Sequence, residues 1–120
     1  MGKRPVIMGD TSTFFVDFDT LGREFRCKFS TENGNASLKA LQAVFEKHLS
    51  TLKGIKGVKS VKRVACGACQ DFKIVVEILA SEHDSWSKAK YSPEATILED
   101  FKAIKGVSCV ETQTYTFMSY

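Results

Sequence analysis

Leu52-Lys53-Gly54-Ile55-Lys56-Gly57-Val58-Lys59-Ser60-Val61 returns 49 residues later as Phe101-Lys102-Ala103-Ile104-Lys105-Gly106-Val107-Ser108-Cys109-Val110. Each copy runs from a large apolar residue through a Lys-Gly turn into a valine, which reads as a helix end, a tight turn and the start of a strand. A chain that contains this junction twice is built from two similar halves, each with a helix feeding a strand.

Upstream of the first copy, Leu38, Leu41, Phe45, Leu49 and Leu52 recur at helical spacing, with Asn35 as the expected N-cap and Gly54 as the C-cap. Before that helix, Phe14-Phe15-Val16-Asp17-Phe18 reads as a short strand and Arg23 to Ser30 as another. In the second, Phe25, Cys27 and Phe29 share one face and Glu24, Arg26 and Lys28 the other. Leu21-Gly22, between them, is placed to turn a hairpin.

Downstream, Val58 to Cys66 and Phe72 to Leu79 are β-branched runs joined by a glycine-containing connection, a second hairpin. A further helical region opens near Trp86 and is interrupted at Pro93. Proline fits a first helical turn, so Ser92-Pro93-Glu94 starts a new helix carrying Ile97, Leu98, Phe101 and Ile104. After Gly106, Val107 to Met118 reads as a final strand.

The expected fold is an α+β, ferredoxin-like βαββαβ sandwich with an extra N-terminal strand and two helices on one face of an antiparallel sheet. Residues 1–12 read as a flexible tail and 13–120 as a single domain. An apolar opposite sheet face would call for a second subunit, so a homodimer or higher homo-oligomer is expected.

Composition fits this size. With 43% hydrophobic and 26% charged residues in 120, the chain can close one soluble core. Its longest apolar stretches, such as Ile74 to Ala80, fall far short of the ~20 residues of a membrane-spanning helix. Met1 to Asp10 has no long apolar run of the secretory type, so a cytoplasmic location is expected. There the four cysteines read as thiols or metal ligands rather than as a disulfide framework. A net charge of +3 permits an anionic partner without requiring one.

Ile55-Lys56-Gly57-Val58, the hairpin from Gly67 to Asp71-Phe72, and Ile104-Lys105-Gly106-Val107 followed by Glu111-Thr112-Gln113-Thr114 together resemble the effector-sensing (RAM) domain of Lrp/AsnC transcription regulators. The resemblance covers the chain from about Arg23 onward and lies in pattern rather than identity. It implies a noncatalytic, regulatory module that oligomerises and binds an amino acid or related metabolite. It places that small-molecule ligand at Gly67, Asp71, Thr112 and Thr114. Nothing helical precedes Asn35, so the helix-turn-helix of such regulators has no counterpart here.

Cys66-Gly67-Ala68-Cys69 is a CxxC at the hairpin. It is open to three readings: small turn residues, a soft-metal site in which Cys66 and Cys69 hold zinc, or a reversible disulfide. No other cofactor is implied. Lys53, Lys56, Lys59, Lys62 and Arg63 form a basic segment that would serve a nucleic-acid partner in an alternative reading. A third reading is a small dimeric α+β barrel enzyme, with Trp86, Tyr91, Tyr115, Phe117 and Tyr120 lining a cavity or a dimer contact. His48 and His83 lack a visible nucleophile partner and read as core or surface histidines.

Overall fold

A computed structural model describes residues 18–120. The elements run β1 (Thr20–Lys28), α1 (Glu32–Lys53), β2 (Val58–Cys66), β3 (Asp71–Leu79), α2 (Ala80–Lys88), α3 (Glu94–Lys102) and β4 (Ser108–Phe117). The strands form one sheet in the order β2-β3-β1-β4, with every neighbouring pair antiparallel. Strands β1 and β2, joined through α1, therefore run parallel with β3 between them. This is the split arrangement of a ferredoxin-like fold, as expected. The expected tail, 1–12, and the N-terminal strand up to residue 17 lie outside the described residues; Phe18 is buried.

Alternation along the strands decides where the core sits. Leu21, Phe25 and Cys27 of β1 and Phe72, Ile74, Val76 and Ile78 of β3 point to one face and are buried. Against them pack Leu41, Phe45 and Leu52 of α1, Trp86 of α2, and Ile97 and Phe101 of α3. Phe72 and Phe101 meet edge to face at 6.0 Å. Burying each such side chain contributes about 1.5–3 kcal/mol, which is what holds the helices on this face.

The repeated junction is repeated in the hydrogen bonds. Leu52 and Phe101 are each fully buried. The Ile55 N–H donates to the Leu52 carbonyl at 3.3 Å and the Ile104 N–H to the Phe101 carbonyl at 3.1 Å. Val58 N–H and Val107 N–H then donate to the Ile55 and Ile104 carbonyls at 3.1 and 3.3 Å. Between them, Gly57 and Gly106 have φ of +88° and +93°, values that favour glycine.

Two details differ from the sequence reading. Leu21 and Gly22 turn no hairpin; they lie inside β1, paired with Ile78 and Glu77 of β3. The glycine answers a close approach instead, because a Cβ there would sit 2.5 Å from Phe117 Cε2 and 2.6 Å from Tyr115 Cε1. At the start of α1, Asn33, Gly34 and Asn35 are left-handed, with φ of 54°, 65° and 64°, and regular turns begin only after Asn35. Ser37 ties that entry down: its hydroxyl accepts the Ser30 N–H at 3.0 Å and donates to the Ser30 carbonyl at 2.8 Å. The second helical region divides at Pro93 into α2 and α3, as the proline foretold. Among the described residues no helix is long and apolar enough to cross a membrane.

Candidate functional site

On β1, Arg23 shares its face with Leu21 and Phe25 and so lies under the helices, where a guanidinium must be paired. It is. Nε donates to Glu94 Oε1 at 2.9 Å, and Nη2 stands 2.8 Å from the same oxygen. Nη1 donates to Thr114 Oγ1 at 2.9 Å and Nη2 to Thr112 Oγ1 at 3.1 Å. The guanidinium carbon sits 3.8 Å from the centre of the Tyr91 ring. Arg23 thus clamps the start of α3 to β1 and β4 and lays a fixed positive charge against one aromatic face.

Tyr91 is the hub of a cluster on the helix side of the sheet. Its hydroxyl lies 3.3 Å from His83 Nε2, and the edge of Trp86 meets its ring at 5.1 Å. His83 and Trp86, three residues apart on α2, share one helix face and are both 5% exposed. Trp86 Nε1 donates to the Ser92 carbonyl at 3.0 Å, fixing the connection that carries Tyr91. The cluster sets an imidazole within hydrogen-bonding distance of a phenol, beside a buried indole and a paired guanidinium. Tyr91 itself is half-buried.

The sequence-predicted ligand residues do not converge. Thr112 and Thr114 flank Arg23 in this cluster. Gly67 lies in the β2–β3 turn, and Asp71 opens β3 on the opposite sheet face, where it pairs with Lys28 at 2.6 Å. The Lys28 ammonium holds the Asp71 carboxyl below its usual range. Cys66 and Cys69 are joined to each other as a disulfide, which leaves no thiolate there for zinc. Among the described residues no group of three or more His, Cys, Asp or Glu side chains is placed to hold a metal ion.

The basic segment is also divided. Lys62 pairs with Glu77 on the open sheet face, and Lys56 approaches Glu82 at 4.0 Å. Arg63 turns the other way and donates to Gln42 of α1 at 3.0 Å. Lys53 ends α1 and Lys59 lies on β2, so the five cations are spread over a helix end, a turn and both faces of one strand. His48, read as a core or surface histidine, is buried beneath Asp100, with Nε2 2.7 Å from Oδ2.

Arg23 and Glu94 escaped the sequence reading. The available signal was parity: Arg23 continues the face of Phe25 and Cys27, and one cation in an apolar row asks for a partner. No periodicity could have named that partner, because Glu94 is 71 residues away.

No family model and no curated protein matches the chain. Solved structures do. SnoaB, a cofactor-independent oxygenase from Streptomyces nogalater, aligns with a TM-score of 0.60 at 13% identity, over 85% of this chain and 96% of its own. A monooxygenase from the ActVA-Orf6 gene of Streptomyces coelicolor, solved with nanaomycin D, aligns with a TM-score of 0.62 at 10% identity, over 86% and 90%. A dimeric ferredoxin-like protein from an uncultured marine organism gives 0.56 at 19% identity, over 85% and 90%. These neighbours overturn the expected noncatalytic sensing module, since the fold recurs here in small oxygenases. What the likenesses establish is that fold: the chain is a ferredoxin-like α+β protein.

Proposed function

We propose that the chain is a small dimeric α+β enzyme of the cofactor-independent oxygenase type, which deprotonates a planar phenolic or enolic substrate at the His83–Tyr91 pair. The observation that carries the reading is the 3.3 Å contact between Tyr91 Oη and His83 Nε2, beneath the helices and beside Trp86. Dioxygen reacts sluggishly with neutral closed-shell molecules and far faster with electron-rich phenolates and enolates. An oxygenase without a cofactor therefore needs a base and a dry apolar wall. His83 is that base, the half-buried Tyr91 meets the substrate and passes it the proton, and the buried Trp86 keeps water from the pair. Arg23, bound to Glu94, Thr112 and Thr114, holds Tyr91 in place rather than binding substrate.

Dimerisation is supported by the sheet face that the helices leave open. It carries the packed rings of Tyr115 and Phe117, 5.3 Å apart, with Leu79 and Val64 exposed at 40% and 43%. A second copy covering this face would bury the ~800 Å² per partner typical of a stable pair.

The test is oxygen uptake by the purified protein over a panel of hydroquinones and polycyclic phenols. Uptake is expected with at least one, lost in His83→Ala and lowered roughly a hundredfold in Tyr91→Phe. Uptake that is equal in wild type and His83→Ala across the panel would retire the reading. Light scattering is expected to give a dimer.

A further inference from the structure

Every cysteine lies toward one end of the sheet. Cys27 is near the end of β1, Cys66 ends β2, Cys69 lies in the turn before β3, and Cys109 is near the start of β4. Arg23, which packs on Tyr91, is five residues from Lys28 along β1, roughly 16 Å at a strand's rise. The cysteines thus belong to a separate part of the molecule.

The Cys66–Cys69 disulfide closes the β2–β3 turn at the surface, with Cys69 exposed and Cys66 half-buried. It is not needed to hold that turn. The Phe29 N–H donates to the Gln70 carbonyl at 2.9 Å, and Lys28 Nζ donates to the Cys69 carbonyl at 3.0 Å while pairing with Asp71 at 2.6 Å. The full β2–β3 ladder runs up to Cys66–Asp71. A disulfide spanning so few residues also constrains the unfolded chain least. The bond is therefore redundant as a staple and accessible as a reactant.

Its two sulfurs are not equivalent. The backbone N–H of Cys69 donates to Cys66 Sγ at 3.3 Å. An N–H aimed at sulfur favours the thiolate, so Cys66 is the better leaving group and, once reduced, the better nucleophile at neutral pH. The other two thiols differ in kind. Cys27 is 2% exposed, and burial, with the nearby Asp71 carboxylate, pushes it up to about 12, which keeps it protonated and inert. Cys109 is exposed.

We infer that the β2–β3 turn is a thiol–disulfide exchange site in which Cys66 and Cys69 form the reactive pair and the co-reactant is a dithiol, small or protein-borne. A thiolate of the dithiol attacks Cys69 Sγ, the more exposed sulfur, forming a mixed disulfide. The Cys66–Cys69 bond breaks, and its electron pair leaves on Cys66 Sγ beneath the Cys69 N–H. The second thiol of the dithiol, deprotonated, attacks the mixed disulfide and expels Cys69. The dithiol departs as a cyclic disulfide, and two electrons and two protons have passed to the protein. The Lys28 bonds to the turn do not involve sulfur, so the backbone mount persists in both states.

The experiment counts fast-reacting thiols with Ellman's reagent on the native, air-equilibrated protein, then after brief treatment with dithiothreitol and desalting. One fast thiol, Cys109, is expected before treatment and three after, with Cys27 appearing only in denaturant. Three fast thiols before treatment would overturn the proposal. So would a count still at one after it, or zinc released as the thiols react. The order of the sulfurs is read separately by alkylation with iodoacetamide at pH 7. Cys66 in Cys69→Ser is expected to react about threefold or more faster than Cys69 in Cys66→Ser, the gain per unit of thiol acidity. Equal or reversed rates would overturn the assigned polarity. Because neither cysteine touches the His83–Tyr91 cluster, failure here leaves the oxygen-uptake test untouched.

Discussion

The Tyr115 hydroxyl donates a 3.1 Å hydrogen bond to Glu24, a carboxylate only 3% exposed although it stands on the sheet face the helices do not cover. Gln113 Nε2 donates to its other oxygen at 2.8 Å, and the Lys73 ammonium lies 3.9 Å away. Burial, with the adjacent Glu24 charge, raises the Tyr115 phenol above its ordinary range. In the unfolded chain the phenol titrates near ~10. A group whose folded value is raised contributes stability that is intact below the unfolded value and is lost as pH climbs through the folded one. Urea midpoints are therefore expected to hold to about pH 10 and fall above it, and Tyr115→Phe is expected to flatten that alkaline fall. At neutral pH the same substitution removes one bond to a buried charge and is expected to cost about 1.5–3 kcal/mol.

Gly22→Ala drives a methyl into the same rings. With Phe117 and Tyr115 atoms 2.5 and 2.6 Å from the added carbon, the rings must lift off β1. Denaturant unfolding is expected to show a loss of about 1–3 kcal/mol, the range for overpacked sites. If the open face pairs two copies, light scattering is expected to show a weaker dimer as well.

Arg23→Met removes the cation that Glu94 and two threonines surround. The side chains of Arg23 and Glu94 are 13% and 17% exposed, so the carboxylate left behind is poorly solvated. A cost of roughly 3 kcal/mol is expected from thermal unfolding, toward the low end for a broken buried pair. Arg23→Lys keeps the charge but loses the planar fork and the stacking on Tyr91, and is expected to recover less than half of that.

Asp100 bridges α3 to α1 through His48 and Lys47, at 2.7 and 3.3 Å. The His48 hydrogen bond, then that from Lys47, lowers the Asp100 carboxyl from its ordinary value. A lowered carboxylate contributes stability that is present above its unfolded value, near ~3.9, and is lost as pH falls through the folded one. The stability gap between wild type and Asp100→Asn is expected to be present at about pH 6 and to close progressively as the pH falls below the unfolded value of ~3.9. Chemical denaturation at several pH values reads it directly.

Much of the fold is legible in one dimension. The junctions at Leu52–Val61 and Phe101–Val110 are local events, governed by residues within one turn of each other, and the paired hydrogen bonds at Ile55 and Ile104 reproduce the repeat. Strands β2 and β3 and the division of the last helical region at Pro93 likewise follow from short-range chemistry. Gly22 mimics a turn residue because its reason for being glycine comes from Tyr115 and Phe117, some ninety residues on. Glu24 and Arg23 look like ordinary polar strand residues until β4 and α3 are in place.

What the sequence determined by itself was the order of elements, the glycine turns and the faces of β1, since each depends on neighbours two to four residues apart. Only the tertiary structure decided that Arg23 meets Glu94, Thr112, Thr114 and Tyr91, and that Thr112 and Thr114 are separated from Asp71 by the thickness of the sheet. The reason is physical: a charge placed under helices takes whichever donors and acceptors the packing of β4 and α3 brings within about 3 Å, and that packing is set by the whole core.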